Sequence, residues 1–273
     1  CNSGGGQPVS MENIKAVSAV CAKYNVPLIF DSARFAENAY FIKVREEGYA
    51  EKTIKEIVKE AFGYGAGMTM SSKKDAIVNM GGFIAINDEK LYQACSTFNI
   101  MFEGYLTYGG MSGRDMAALA AGLMEGTEFD YLNSRIKQVE YLGERLDEAG
   151  IPVLKPFGGH AIFIDAKKFL PHIPQSQYPA QVLGVELYKE AGVRGVEIGT
   201  VLADRDPVTR ENRYPKLELL RLAIPRRVYT NNHMEVVVWG CKKVMENRHN
   251  LRGLDITYEA PIMRHFTSRF KTL

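Results

Sequence analysis

Two short stretches hold the residues that could do chemistry. One is Gly67-Met68-Thr69-Met70-Ser71-Ser72-Lys73-Lys74-Asp75, where a brief apolar run breaks into small hydroxyls and then two lysines. The other is Asp31-Ser32-Ala33-Arg34, which also ends an apolar run. In an open α/β sheet, ligands sit beyond the carboxyl ends of strands. A lysine placed there can serve as an imine-forming nucleophile, and small hydroxyls with free backbone N–H groups can hold a phosphate. Both stretches also have an ordinary reading. Lys73 and Lys74 could be two solvated charges on a turn, and Asp31 a helix cap or the partner of Arg34.

A carboxylate at the end of a buried strand costs free energy unless a cation or strong donor pairs with it. Pyridoxal phosphate (PLP) asks for a lysine to form an imine and a carboxylate to keep its ring nitrogen protonated. It also needs donors for its phosphate. Asp31, Arg34, Ser71 and Lys74 supply this set, although Asp-x-x-Arg and Ser-x-x-Lys are each weak patterns alone.

The elements that must position these residues follow from periodicity. Ser10 is a plausible N-cap for a helix in which Ile14, Val17, Cys21 and Tyr24 recur at helical spacing. Residues 26–30 read as a buried strand with Pro27 near its first residue. Helices are expected over residues 35–47 and 53–62, then the lysine stretch, Gly81-Gly82 and an apolar run over 83–86. This order predicts an α/β sheet, mostly parallel where helices cross over. Further helices are expected over residues 89–102, 115–124 and 131–149, the last stopped by Gly150. Beyond it, strand candidates at 152–154, 160–165, 193–198 and 217–224 alternate with helices at 179–190 and 231–247. Residues 204–215 read as an exposed loop or hairpin. The expected division is a larger domain with its connecting helix over 1–150 and a small α+β domain over 151–273.

Composition bounds the partners. The 273 residues are ample for a real core, and 34 basic against 32 acidic residues leave no electrostatic footprint for nucleic acid or an anionic membrane. No apolar run approaches a membrane span. Cys1, Cys21, Cys95 and Cys241 are scattered without zinc spacing, which suits a reducing cytosol, and Cys21 is expected as a buried free thiol. The start, Cys1-Asn2-Ser3-Gly4-Gly5-Gly6, imitates the processed end of a lipid-anchored secreted protein; the competing reading is a chain that opens inside a domain.

Several motifs together carry a resemblance that runs from Asn2 to the C-terminus. They are Gly5-Gly6-Gln7-Pro8-Val9-Ser10; the run from Asp31-Ser32-Ala33-Arg34 to Ile42-Lys43; Met70-Ser71-Ser72-Lys73-Lys74-Asp75; Gly158-Gly159-His160-Ala161; and Arg221-Leu222-Ala223-Ile224-Pro225-Arg226. On these the chain resembles the PLP-dependent β-eliminating lyases, whose branches are the tryptophanases and the tyrosine phenol-lyases. The resemblance implies the fold type I architecture of the aspartate-aminotransferase group. It implies that Lys74 forms the imine with PLP and, once released, removes the substrate's α-proton. It pairs Asp31 with the pyridine nitrogen, puts Arg34 and Asn2 beside the cofactor's O3′, and gives the phosphate to Ser71 with support from Lys73. Arg221 would clamp the substrate carboxylate, for which a guanidinium fork is suited. The family also implies a homotetramer and a potassium ion, one of whose ligands matches the carbonyl of Asn79.

Two positions separate the branches. The phenol-lyases carry an arginine where this chain has Ile198 and a phenylalanine where it has His265, so both residues point to the tryptophanase branch. The implied activity is β-elimination of L-tryptophan to indole, pyruvate and ammonia in the cytoplasm, with tyrosine phenol-lyase as the alternative. Members of the family carry a substantial segment before the position of Asn2, so the chain looks like a C-terminal portion, expected to be inactive alone. An aminotransferase or decarboxylase of the same fold, and a non-catalytic binding domain, are the other readings.

Overall fold

The computed structural model describes residues 5–273. The chain forms two compact units, Gln7–Ile136 and Lys137–Leu273, with Gly5 and Gly6 belonging to the second.

In the first unit, α1 (Met11–Lys23) is capped by Ser10, whose hydroxyl accepts from the Asn13 amide at 3.1 Å. Its buried residues are Met11 and Ile14, near its start. Val17, Val20 and Tyr24 are exposed and Cys21 is a half-buried free thiol, so the expected fully buried cysteine is corrected. Strand β1 (Ile29–Asp31) leads into α2 (Phe35–Arg45), and α3 (Ile54–Phe62) follows. Thr53 and Glu56 form a reciprocal capping box at the start of α3, with Thr53 Oγ1 accepting from the Glu56 amide at 3.2 Å.

Strand β2 (Gly67–Ser71) runs parallel to β1, with Asp31 opposite Thr69, as the helical crossover between them requires. Strand β3 (Gly82–Ile86) returns antiparallel to β2, because only a turn joins the two. The unit closes with α4 (Glu89–Phe102), α5 (Gly113–Glu125) and the first part of α6 (Phe129–Glu148). A core of Ile14, Tyr40, Ile42, Ile57, Leu132 and Ile136 unites α1, α2, α3 and α6. One buried ion pair crosses it: Arg135 Nε lies 3.2 Å from Glu37 Oε1, and both side chains are almost fully enclosed.

In the second unit, β4 (Ala161–Asp165) and β5 (Val196–Ile198) pair antiparallel to opposite edges of β6 (Leu219–Ala223). Around them lie α7 (Ala166–Phe169), α8 (Pro179–Ala191), the single turn α9 (Thr200–Ala203) and α10 (Asn231–Glu246). Alternation along the strands gives the sheet two faces. One carries Ile162, Ile164, Leu220 and Leu222 into the main core with Leu183, Leu187, Val238 and Cys241. Burial raises the Cys241 thiol to about 12, so it behaves as an inert apolar group. The other face carries Phe163, Leu219, Ile198 and Arg221. A hairpin of β7 (Leu254–Tyr258) and β8 (Arg269–Thr272) completes the unit. The expected strand at residues 152–154 is reduced to a bridge between Val153 and Ile164.

Candidate active site

In the first unit, the two chemical stretches meet at the carboxyl ends of neighbouring parallel strands. Asp31 ends β1 and Ser71 ends β2. The backbone fastens the two together: Ser32 N donates to Thr69 O at 2.8 Å and Asp75 N to Ala33 O at 3.3 Å. Asp75 is buried, and its Oδ2 accepts from the amides of Ala36 (2.7 Å) and Glu37 (3.0 Å). Those amides open α2, where a carboxylate is favoured by both the vacant donors and the helix dipole. The carboxylate that follows the lysines therefore holds the helix that follows Asp31.

Lys74 is half-buried, and its Nζ donates to Ser71 Oγ at 2.9 Å. Lys73 is exposed. The neighbouring lysines thus differ in environment, and only Lys74 is directed to the strand-end hydroxyl. The Ser32 and Ser72 hydroxyls are buried and have no hydrogen-bond partner among the described residues. Buried hydroxyls normally find one. A primary amine, a carboxylate, a guanidinium and spare hydroxyls at two adjacent strand ends suit a phosphorylated cofactor that carries a carbonyl and a basic ring nitrogen, and PLP fits that description. A cavity of about 250 Å³ opens beside Asp31 and Arg34, but Phe30, Phe35, Val58 and Phe62 wall it and neither Lys74 nor Ser71 lines it. It belongs to the apolar interior of this unit rather than to the amine.

Asn79 lies exposed in the turn between β2 and β3. Asn2 lies outside the described residues.

In the second unit, Arg221 sits at the centre of β6, opposite Phe163 on β4 and Val196 on β5. Ile198 faces Leu219 two positions along and packs half-buried against the cluster of Phe163 and Leu219. Arg221 and Ile198 therefore project from the same sheet face on adjacent strands, a guanidinium beside an apolar side chain. His265 lies in the 3-10 turn Arg264–Phe266, with its Nε2 2.9 Å from the carbonyl of Glu197. A carbonyl can only accept, so Nε2 carries the hydrogen in this contact. Nδ1 is buried without a partner among the described residues.

The turn behind His265 contains groups that sequence reasoning missed. Arg264 is fully buried; its Nε donates to Val201 O at 3.1 Å and its Nη2 to Thr200 O at 2.6 Å. Glu197 and Glu218 are buried at the opposite end of α9. The available signal was an acid inside each of two apolar strand runs, Val196-Glu197-Ile198 and Leu217-Glu218-Leu219. Asp75 left none beyond its place after Lys74.

The family profile described as beta-eliminating lyase matches residues 1–239. A probable beta-eliminating lyase of Trichomonas vaginalis is 64% identical over all of this chain and 60% of its own length. A tyrosine phenol-lyase of Symbiobacterium is 53% identical over all of this chain and 59% of its own length. A tryptophanase of Salinibacter ruber is 51% identical over 99% of this chain and 57% of its own length. The chain thus spans about 60% of the length of such relatives. Among solved structures, a serine palmitoyltransferase from S. paucimobilis with bound PLP–myriocin superposes with a TM-score of 0.56 at 14% identity, covering 87% of this chain and 52% of that one. That likeness shows the fold, fold type I as expected. With the profile matched over most of its length and Lys74, Ser71 and Asp31 gathered at the strand ends, the chain belongs to the beta-eliminating lyase family.

Proposed function

We propose that the protein containing this chain is a PLP-dependent carbon–carbon lyase that converts L-tryptophan and water to indole, pyruvate and ammonia. The observation that carries the reading is the approach of Lys74 Nζ to Ser71 Oγ, 2.9 Å, at the end of β2 beside the strand that ends on Asp31. PLP bound there supplies an electron sink that makes the substrate's α-proton removable. Lys74 takes that proton as an amine base, and the Asp31 carboxylate keeps a proton on the ring nitrogen. Ser71 and Lys73 hold the phosphate, Arg34 and Asn2 the O3′ side. Arg221 grips the substrate carboxylate with two N–H groups. An indole leaves badly as a carbanion, so its ring carbon must be protonated before the bond breaks, and His265 orients the ring or relays that proton. A potassium ion held in part by the Asn79 carbonyl, a homotetramer and a cytoplasmic location belong to the same proposal. Among the described residues, no helix is long and apolar enough to cross a membrane.

The preference for tryptophan rests on Ile198, which packs on Phe163 and Leu219 and offers no donor to a phenolic oxygen. The second reading, tyrosine phenol-lyase, is favoured by that name on several relatives 51–53% identical. A site built to hydrogen-bond a hydroxyl rejects the analogue lacking it strongly, whereas an apolar pocket discriminates only modestly. Comparing kcat/KM for tryptophan and tyrosine in the intact enzyme and in Ile198→Arg separates the readings. The parent should prefer tryptophan and the variant should lose much of that preference. A parent that releases phenol faster than indole would establish the second reading.

A further inference from the structure

Glu197 and Glu218 are 4% and 0% exposed, and their carboxyl groups converge on Gly199. A Cβ added to Gly199 would lie 2.4 Å from Glu218 Oε1 and 2.7 Å from Glu197 Oε1, so both carboxyl groups occupy the volume that a side chain at residue 199 would fill. Glu218 is well supplied with donors. Its Oε2 accepts from Thr200 N (3.0 Å), Thr200 Oγ1 (2.7 Å) and Gln175 Nε2 (2.9 Å). Glu197 accepts from the amides of Val201 (3.0 Å) and Leu202 (2.9 Å).

Among the described residues, the lysines and arginines on the surrounding elements are engaged elsewhere. His265 Nε2 is 3.7 Å from Glu197 Oε2, but its N–H is given to the Glu197 carbonyl. Arg264 turns to the carbonyls of α9 and to Asp204, Asn212 and Glu259. On β4, Asp165 is occupied with Lys168, 3.3 Å away. Arg221, three residues after Glu218 on β6, projects from the other face of the sheet. Two ionised carboxylates this close, buried and with no lysine or arginine between them among the described residues, repel strongly, and retaining one proton relieves the repulsion.

We propose that Glu197 and Glu218 share one proton over Gly199 and are positioning residues: the protonated pair holds the turn from β5 into α9, and with it Ile198 and the carbonyl that orients His265, in the arrangement that receives the substrate's aromatic ring. The positioning half rests on the reading of Ile198 and His265 as ring-facing groups; the shared proton does not. Burial, and then the charge of Glu218, push Glu197 up to about 7, so the proton leaves near neutrality. Above that pH the carboxylates separate, and the main chain between Glu197 and Leu202 moves with them.

The test has two readouts on the intact protein. Infrared titration without substrate, with glutamate labelled by ¹³C, should show the carbonyl stretch of a protonated glutamic acid at about pH 6 and lose it by about pH 9. In Glu218→Gln that stretch should vanish at lower pH, because Glu197 loses its negative neighbour. Absence of a protonated glutamic acid at about pH 6, or a midpoint unmoved in Glu218→Gln, would overturn the shared proton. If the variant fails to fold, the unsubstituted protein still decides by its own stretch and midpoint. The second readout is the ratio of kcat/KM for tryptophan to that for S-methylcysteine, whose leaving group is small and lacks a ring. Requirements common to both substrates cancel in this ratio, which should fall about tenfold or more from pH 6 to pH 9 with the midpoint of the infrared titration. In Glu218→Gln the fall should shift to lower pH with that midpoint, which titration of an acid that protonates the ring would not do. A ratio flat with pH would overturn the positioning role even with the proton in place. Absence of activity on both substrates would overturn the lyase reading, and the infrared result would still stand.

Discussion

At the scale of single residues, two adjacent lysines give the sharpest test. Lys74 is half-buried and bonded to Ser71, whereas Lys73 is exposed. An amine that takes a proton from the reacting carbon contributes about 10²–10⁴-fold as a general base. Lys74→Ala should therefore slow exchange of the substrate's α-proton with solvent deuterium by at least that factor, and borohydride should no longer fix PLP to the chain. Lys73→Ala should keep exchange within about tenfold, since it removes only one distant charge from the phosphate. The reverse pattern would move the site by one residue. Lys74 was legible because its partner is three residues away, so chain geometry alone brings amine and hydroxyl together. Glu197 and Glu218 were not, because 20 residues and the β5–β6 register separate them.

At the scale of elements, Asp75 is the residue on which the first site's order depends. It receives the Ala36 and Glu37 amides and so fixes the start of α2, directly after Arg34. Asp75→Ala leaves two buried donors without a partner and should destabilise the protein by about 2 kcal/mol, read from the midpoint of chemical unfolding. PLP affinity should fall with it while Lys74 remains in place. Loss of affinity with no loss of stability would mean that Asp75 acts on the cofactor rather than through the helix. Thr53→Ala, by contrast, removes only an exposed cap and should cost about 1 kcal/mol without touching PLP binding.

The elements themselves were largely legible. The expected helices at 35–47, 53–62, 89–102, 131–149 and 179–190 correspond to α2, α3, α4, α6 and α8, because caps, Gly stops and 3.6-residue periodicity are local signals. The β7–β8 hairpin was missed. Its strands, Leu-Asp-Ile-Thr-Tyr and Arg-Phe-Lys-Thr, are joined by ten residues with no tight-turn signature, and Ile256 and Phe270 reach the core only once the two are paired. The expectation for Cys21 failed for a related reason. Periodicity marked a stripe from Ile14 to Tyr24, but burial stops near the start of α1, which tertiary packing decides.

At the scale of the whole molecule, two sets of carboxylates set opposite limits on stability. Glu60, hydrogen-bonded by Lys52 and then Tyr49 and Lys15, is held at about 2, and Glu235, bonded by Arg145 and Tyr141, likewise at about 2. For such groups the folded value lies below the unfolded one, so their stabilisation is present above about pH 4.5 and is lost as pH falls towards 2. These side chains are partly exposed, and water and salt weaken their share. Glu197 runs the other way. Its folded value, about 7, lies above the unfolded one, so between about pH 4.5 and 7 the unfolded chain releases a proton that the folded chain keeps. Stability is therefore highest at the acidic end of that window, falls as pH rises through it, and levels off above 7. The expected melting temperature is greatest near pH 5 and several degrees lower at pH 8. Glu218→Gln should flatten the fall on the alkaline side by removing the charge that repels Glu197, and leave the acid limb unchanged, since Glu60 and Glu235 are untouched. Thermal melts of both proteins across pH 3–9 check this. A parent whose stability rises steadily to pH 8, or a variant with an unchanged alkaline limb, would mean that Glu197 is ionised throughout and that its backbone amides outweigh burial.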